Sequence, residues 1–166
     1  DVVYGFHYSA TSNYSRYDRL IRPKGNTLRS AEWNYGPQIW IMNNLQVNHY
    51  ADSFFYDHLR LTLAHQFFEE SRIDRDLNKS TRRIRKEQVN ALSANVDFDK
   101  NIGKMHRIFY GVEAVLNQVG SFGEDVNVKK NESIPGPTRY PNGSEWNSYA
   151  AYLNYRLNFS DKFYIQ

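Results

Sequence analysis

The stretch "IWIMNNLQVNHYADSFFYDHLRLTLAHQF", residues 39–67, consists of two alternating limbs joined by the polar break Ala51-Asp52-Ser53. In both limbs apolar side chains hold one parity and polar side chains hold the other. The apolar series is Ile39, Ile41, Leu45, Val47, Leu59, Leu61 and Leu63, and the polar series is Asn44, Gln46, Asn48, Arg60, Thr62 and Gln66. This alternation predicts two strands of a hairpin that have unlike faces.

Composition excludes several classes of protein. A chain of 166 residues is long enough for one domain with a core. Its net charge of +3 is too weakly basic to indicate nucleic acid as a partner, and no nucleic-acid-binding motif adds to it. The absence of cysteine excludes disulfides and thiolate metal sites. No apolar run approaches the roughly 20 residues of a membrane helix.

Hydropathy and aromatic content form an unusual combination. The mean hydropathy of −0.73 is hydrophilic, yet 16% of the residues are aromatic, with 13 tyrosines and 10 phenylalanines. A soluble core is more often built from Leu, Ile and Val. An aromatic-rich, alternating and hydrophilic sequence is typical of transmembrane β-barrels, whose strands present one face to lipid and the other to water.

The pattern predicts an all-β, antiparallel section of a transmembrane barrel with six full strands and the start of a seventh. The predicted strands are 2–12, 38–50, 55–68, 86–99, 106–119, 146–159 and 163–166. Short turns at 51–54, 100–105 and 160–162 alternate with long loops at 13–37, 69–85 and 120–145. Long loops at one end and short turns at the other are typical of outer-membrane barrels. A soluble β-sandwich remains an alternative, although nothing forces its long loops to one end.

Polar residues on the predicted inner face include whole charges. Arg60, Asp97, Glu113 and Arg156 alternate with apolar neighbours and are predicted to face the lumen. Such charges could contact a domain inside the barrel or simply line a wet pore, and the sequence leaves both interpretations open.

Six segments of the chain carry a family resemblance. They are "YSATSNYSRYDRL" (8–20), "AEWNYGPQ" (31–38), "FFEESRIDR" (67–75), "VNALSANVDFDK" (89–100), "FYGVEAVLNQVGS" (109–121) and "TRYPNGSEWNSYAAYLNYRL" (138–157). In order and spacing they resemble the β-barrel region of TonB-dependent outer-membrane receptors of the Bacteroidetes type, which bind siderophores, haem or corrinoids. The resemblance covers almost the whole chain, but its segments contain no catalytic motif.

The resemblance implies that residues 1–166 are part of a receptor barrel domain in the outer membrane of a Gram-negative bacterium. The family's barrel has about 22 strands closed around an N-terminal plug. Neither plug nor TonB box occurs in this sequence, so a section of the receptor is expected. The implied partners are the rest of the barrel and its plug, TonB through the missing N-terminal part, and outer-membrane lipid and lipopolysaccharide. A surface lipoprotein is a further partner that the resemblance admits.

The implied function is TonB-dependent uptake of a scarce large nutrient: a metal chelate, haem, a corrinoid, or a glycan or peptide. A passive porin is the alternative, and a soluble β-sandwich binding module is a more distant one. The loop residues that become candidates for ligand contact are Arg16, Tyr17, Arg19, Trp33, Glu69, Glu70, Arg72, Arg75 and Tyr140.

The densest charge run, "EESRIDRDLNKSTRRIRKE" at 69–87, has two interpretations. Its arginines could capture an anionic ligand. Charge runs usually mean solvation, however, so we favour an extracellular loop whose cations meet lipopolysaccharide phosphates. Glu69 or Glu70 could instead bind a neighbouring arginine such as Arg16 or Arg19.

No catalytic, cofactor or metal site is predicted. The chain lacks a P-loop, a GxSxG motif, an HExxH motif and a dinucleotide fingerprint, so we do not expect an enzyme. His49 and His58 flank the short turn and suggest a metal pair. The register that pairs 45 with 61 and 47 with 59 places His49 opposite Asp57 and His58 opposite Asn48. This puts the two imidazoles on opposite faces, which argues against a shared metal.

Overall fold

A computed structural model describes residues 1–160 and 162–166 as one continuous antiparallel sheet with two short satellite strands and a separate small hairpin. The main strands follow one another along the chain, and each pairs with the next in that order. The predicted all-β antiparallel fold is therefore confirmed. The predicted turn at 160–162 includes position 161, which lies outside the described residues.

The main strands are long, and the minor elements are short. The main strands are β1 (Val2–Ala10), β5 (Ser30–Tyr50), β6 (His58–Asp76), β7 (Thr81–Ile102), β8 (His106–Asn127), β10 (Ser144–Ser160) and β11 (Phe163–Ile165). The minor elements are β2 (Tyr14–Ser15), α1 (Tyr17–Leu20), β3 (Pro23–Lys24), β4 (Thr27–Leu28) and β9 (Glu132–Pro135). Strand β2 pairs with β5, β9 pairs with β8, and β3 and β4 form the separate hairpin.

The connections occur at two opposite ends, because consecutive strands are antiparallel. One end, called the turn end, has the connections 51–57 and 103–105. The other, called the loop end, has 11–29, 77–80 and 128–143. The prediction that the short turns share one end is confirmed for the first two; the third includes a position outside the described residues.

The predicted long loop at 69–85 is wrong. Strand β6 continues to Asp76, β7 begins at Thr81, and only a tight turn remains, with Asn78 at φ 61°. The charged side chains of this segment do not hold it apart as a solvated loop. They form pairs across neighbouring strands instead. Arg83 contacts Asp74 and Asp76, and Glu32 of β5 accepts hydrogen bonds from Arg75 and Arg82. Complementary charge on facing strands stabilises a sheet.

The other two predicted loops are also shorter than expected. Strand β5 begins at Ser30 rather than 38, with register shifts around Ser30/Glu32 and Gly36/Ile39. Strand β8 continues to Asn127 rather than ending at 119.

The predicted register of the first hairpin is wrong by two residues. Leu45 lies opposite Leu63 and Val47 opposite Leu61, so His49 faces Leu59 and His58 faces Tyr50. The turn is longer than its polar break indicated. Ala51 donates its backbone N–H to the carbonyl of Asp57 (3.0 Å), which closes residues 51–57. A shift of two preserves the faces, so the two histidines still lie on opposite faces.

The two faces of the sheet have unlike composition, as the alternation predicted. The apolar face carries, strand by strand, Tyr4, Phe6, Tyr8; Ile39, Ile41, Leu45, Val47; Leu59, Leu61, Leu63; Leu92, Ala94, Val96, Phe98; Tyr110, Val112, Ala114, Leu116; and Tyr149, Ala151, Leu153, Tyr155. The polar face carries Asn44, Gln46, Asn48, Arg60, Thr62, Asn95, Asp97, Glu113, Asn154 and Arg156. Asn43 and His65 interrupt the apolar face opposite each other, and Tyr4 donates its hydroxyl to Asn43 (2.6 Å).

The sheet is a single layer without an internal core. None of the hydrophobic side chains in the described part of the chain is buried, and only Ser71, Glu87 and Ser121 are buried polar residues. Leu153 and Tyr149 are 75% and 74% exposed. No helix in the described residues is long and apolar enough to cross a membrane.

The outer boundary of the apolar face crosses the sheet obliquely. The main apolar series ends toward the loop end, in sheet order, at Ala10, Ile39, Phe67, Leu92, Leu116 and Tyr149, and beyond it Ile73, Ile84, Phe122 and Val126 lie on the same face only singly among polar and charged residues. Ala10 and Ile39 lie directly opposite, but Ile39 lies opposite Glu69, two residues beyond Phe67.

From β1 to β10 the boundary moves six residues toward the turn end over five strand pairings. At about 3.3 Å per residue and about 4.8 Å between strands, that boundary is inclined by about 40° to the hydrogen-bonded rows.

Candidate functional site

Two connections at the loop end fold onto the polar face. The first is the segment 11–29, which follows β1, and the second is the segment 136–143, which joins β9 to β10. Between them lies a polar cluster on β5, β6, β7 and β8. This cluster is the most elaborate side-chain arrangement on the polar face, and we treat it as the candidate site.

The first connection is held by backbone pairing. Thr11 donates its N–H to the carbonyl of Gln38 (2.9 Å), and Arg16 donates to the carbonyl of Trp33 (2.9 Å). Strand β2 thus replaces β1 beside β5, and Arg16 and Arg19, before and within α1, lie over Trp33 on the polar face.

Arginine and aromatic side chains pack together beneath α1. The guanidinium of Arg16 lies 5.6 Å from the ring centre of Trp33 and 5.5 Å from that of Tyr35. Arg19 also lies 5.6 Å from Trp33, and Arg72 lies 5.3 Å from Tyr35. Guanidinium groups at this distance are attracted to aromatic faces. We call these five residues the arginine–aromatic cluster; they include four sequence-predicted candidates, whereas Tyr35 was missed.

The second connection forms a strap, defined as residues 136–143, over β8. Gly136 donates its N–H to the carbonyl of Gly123 (2.9 Å), Tyr140 donates to Ser121 Oγ (3.2 Å), and Gly143 donates to the carbonyl of Val119 (2.9 Å). A Cβ at Gly123 would collide with the carbonyl oxygens of Pro137 and Gly136. The strap therefore depends on a glycine at 123 and covers Ser121, which is 2% exposed.

The strap brings Arg139 to two carboxylates that face each other across β6 and β7. Glu70 lies directly opposite Glu87, and Arg139 Nη1 lies 3.9 Å from a carboxylate oxygen of each. Glu70 also pairs with Arg72 (3.0 Å). Glu87 is 7% exposed, and neither of its carboxylate oxygens has a hydrogen-bond partner among the described residues. Burial raises the pKa of the Glu87 carboxyl, while Arg139 and Arg72 oppose that rise.

A continuous series of side-chain contacts links the strap to the segment 11–29. Arg139 contacts Glu70, Glu70 pairs with Arg72, and Arg72 lies over Tyr35, whose hydroxyl accepts a hydrogen bond from Arg16 (3.1 Å). The arginine–aromatic cluster and the strap thus form one contiguous surface on the polar face.

Several predicted ligand residues lie elsewhere. Glu69 and Arg75 point to the opposite face, where Glu69 pairs with Lys86 (3.1 Å) and Arg75 with Glu32 (3.0 Å). The predicted contact of Glu69 or Glu70 with Arg16 or Arg19 is wrong, because Asp18 binds Arg16 (2.7 Å) and lies 3.8 Å from Arg19.

Two tyrosine candidates are exposed beside the cluster. Tyr17 in α1 is 74% exposed, and Tyr140 in the strap is 46% exposed with the Arg139 guanidinium 5.2 Å from its ring centre.

The four charges predicted to face the lumen all lie on the polar face, nearer the turn end. Arg60 lies directly opposite Asp97 and donates to Asn48 (3.2 Å), while Asp97 accepts the hydroxyl of Tyr152 (2.7 Å). Glu113 is exposed on the same face, opposite Asn95. Arg156 donates to Asn158 (2.8 Å) and stacks on Tyr164, 3.8 Å from its ring centre.

The histidines near the first turn have separate partners. His58 contacts Asn48 (3.0 Å) and stacks on Tyr50, whereas His49 contacts the hydroxyl of Tyr56 (3.1 Å). Within the described residues, no group of three His, Asp or Glu side chains is arranged to hold a metal ion.

Sequence reasoning missed the residues that organise the site through the strap. Glu87 and Ser121 lie opposite each other on β7 and β8, and Arg139 joins them only because residues 136–143 fold inward. The available signal was the pair of small residues Ser121 and Gly123 on one parity of β8, which leaves room above the polar face.

Comparison with protein-family models, curated proteins and solved structures found no match to this chain.

Proposed function

We propose that the chain is part of the wall of a transmembrane β-barrel in the outer membrane of a Gram-negative bacterium. The observation that carries the proposal is the inclined apolar face. Strands of outer-membrane barrels are tilted by about 35–45° to the membrane normal, so the edge of the lipid-facing band must cross their hydrogen-bonded rows at that angle. The inclination of about 40° found here falls in that range.

The length of the apolar series supports the same proposal. On β6 it covers residues 59–67 and on β8 residues 108–116, which is nine residues on each strand. A tilted strand needs about 9–11 residues to cross a bilayer. Lipid would cover the single exposed apolar face, and the polar face would line a wet lumen.

We further propose that the barrel belongs to a TonB-dependent receptor that imports a scarce large nutrient. The support is the resemblance of the six sequence segments, together with the site on the lumenal side of the loop end, where ligands from outside the cell would arrive. In this proposal the plug and the remaining strands complete the barrel. TonB couples energy to uptake through the plug, and outward charges such as Arg82 meet lipopolysaccharide.

Spin labels on the full-length protein in bilayers test the membrane proposal. Labels at Leu61 and Leu63 should be accessible to lipid-soluble oxygen, and labels at Thr62 and Ala64 to a water-soluble nickel chelate. Labels at Phe67 and Tyr149 should lie at equal depth, although Phe67 lies opposite Asn90 and four residues from the row of Tyr149. Depths that follow the hydrogen-bonded rows would contradict a tilted barrel.

Energy dependence separates a receptor from a passive porin. Uptake by a TonB-dependent receptor should stop when the proton-motive force is dissipated, whereas diffusion through a porin should continue. Persistent uptake in de-energised cells would replace the receptor proposal with the porin.

A further inference from the structure

A small cavity on the polar face lies between the connection 11–29 and the sheet. Its volume is about 120 Å³, and it is lined by Arg19, Arg22, Arg29, Ser30, Trp33, Asp74, Asp76 and Arg83. Four arginines against two aspartates leave two positive charges in excess. The cavity lies beyond the apolar series of β5 and β6, so it does not depend on whether lipid covers the opposite face.

Arg83 lies between the two aspartates and balances one of their two negative charges. It donates from Nε to Asp74 (2.7 Å) and contacts Asp76 (3.2 Å). The other three arginines, Arg19, Arg22 and Arg29, therefore face one remaining negative charge, and they belong to the connection that covers the cavity.

These three arginines have few protein partners. In the described part of the chain neither Arg22 nor Arg29 forms a salt bridge, and Arg19 has only Asp18 at 3.8 Å. The Nε of Arg19 is buried without a hydrogen-bond acceptor. Arg29 donates its backbone N–H to the carbonyl of Arg22 (2.9 Å), so the two lie opposite each other across the base of the β3–β4 hairpin. Like charges in that position destabilise a pair of strands.

We propose that this cavity binds an anionic group of phosphate or carboxylate type. An anion would give Arg19, Arg22 and Arg29 a common partner and would remove their mutual repulsion. Guanidinium groups present planar forks of donors that match both oxyanions. Trp33 forms the aromatic wall, and the group that carries the anion would stack on it.

Arg83 of the charge run lines the cavity but is paired with Asp74 and Asp76, and the other arginines of that run have partners elsewhere. Arg72, Arg75, Arg82 and Arg85 already pair with Glu70, Glu32 and Asp125. The anion site is therefore formed by cations of the 11–29 connection, of which Arg22 and Arg29 were not sequence candidates.

Calorimetric titration of the full-length protein with inorganic phosphate and with phenyl phosphate, at constant chloride, tests the proposal. Both should bind, phenyl phosphate more tightly. Arg22→Gln and Arg29→Gln should each weaken both anions by about tenfold, because a charge-assisted hydrogen bond is lost. Trp33→Leu should weaken phenyl phosphate but leave inorganic phosphate within about twofold, because only the stacking wall is removed.

Lys24→Gln is the matched control, because it removes a cation from the same hairpin without lining the cavity. It should change both affinities by less than about twofold, since exposed charges are screened by salt. Absence of binding by the unmodified protein would overturn the proposal. A loss in Lys24→Gln equal to that in Arg29→Gln would also overturn it, because general charge attraction would then explain the binding.

Discussion

At the residue scale, the parity of a side chain decides its surroundings. Leu61 and Thr62 are neighbours in the chain, yet Leu61 lies among Val47 and Val96 while Thr62 lies between Gln46 and Asn95. Both residues lie in the middle of β6 between the same two neighbouring strands, so a difference between substitutions at these sites reports mainly the difference between the two faces.

Leu61→Arg is expected to lower the free energy of unfolding in lipid by about 2–4 kcal/mol, because an arginine on the lipid face must be desolvated or displaced toward the interface. Thr62→Arg should be nearly silent, because in the proposed barrel this side chain would face a wet lumen. The measurement is reversible unfolding of the full-length barrel in bilayers. Equal penalties for the two substitutions, or a larger penalty for Thr62→Arg, would mean that the two faces are assigned the wrong way round or that the sheet does not lie in a membrane.

At the element scale, two features stabilise the loop end: the charge pairs that extend β6 and β7, and the strap that covers β8. In the first, Glu32 of β5 binds Arg82 of β7 and Arg75 of β6 on the side of the sheet that carries the apolar face. One carboxylate thus joins three strands, at positions beyond the main apolar series of each.

The Glu32 contacts should withstand mild acid. The hydrogen bond from Arg82, assisted by Arg75, lowers the pKa of Glu32 from 4.5 to about 2. A lowered folded-state pKa gives a stabilisation that is present above pH 4.5 and is lost as the pH falls through about 2. Protection of the amides at the tip of the β6–β7 hairpin, measured as exchange relative to an unprotected amide at the same pH, should remain high at pH 4 and fall near pH 2.

Glu32→Gln supplies the comparison for that experiment. In this variant the amides at the tip of the β6–β7 hairpin should be less protected at pH 7, and their protection should change less between pH 4 and pH 2. Identical exchange profiles for the unmodified protein and Glu32→Gln would mean that the carboxylate does not hold the strands.

The strap should depend on the missing side chain at Gly123. Gly123→Ala is expected to displace residues 136–143, because the new Cβ would meet the carbonyl of Pro137, and limited proteolysis should then cut the strap faster. Gly5→Ala is the matched control, since a Cβ at that strand glycine meets nothing within 4 Å. Equal cleavage rates in both variants would contradict the tight apposition of strap and sheet.

At the scale of the whole molecule, the sheet has two ends and two open edges. Strands β1 and β11 are the edges, so each presents unpaired backbone groups toward whatever strand follows in a closed wall. The turn end is proposed to face the periplasm and the loop end the exterior.

Single cysteines at Asp52 and Lys79 should test that orientation on intact cells, in a full-length protein freed of other thiols. Asp52 is preferable to Ser53, whose hydroxyl bonds the carbonyl of Tyr56 (2.8 Å) and closes the turn. A membrane-impermeant maleimide should label Lys79→Cys and should not label Asp52→Cys until the outer membrane is opened. Labelling of Asp52→Cys alone would invert the orientation.

The faces of this sheet could be predicted from sequence because a period of two survives any error in strand ends. The ends at Asp76 and Thr81 could not, because charged residues carry no hydrophobic period and their pairing appears only across strands. The register failed for a local reason: the turn at 51–57 recruits Tyr56 and Asp57, which alternation alone would assign to a strand. The site was found in part, since Arg16, Trp33 and Arg72 converge, but the inward direction of the strap is a tertiary property.

The absence of buried hydrophobic side chains in the described sheet has a consequence for how such a sequence can drift over evolutionary time. In a packed core, replacing Leu by Ala costs the transfer free energy of the lost methyl groups and an additional term for the cavity. On a face without fixed neighbours across from it, such as that around Leu153, the cavity term is absent. Exchanges among Leu, Val, Phe and Ala should therefore cost only the difference in transfer free energy, so selection would preserve the alternation far longer than the identity of any residue that carries it.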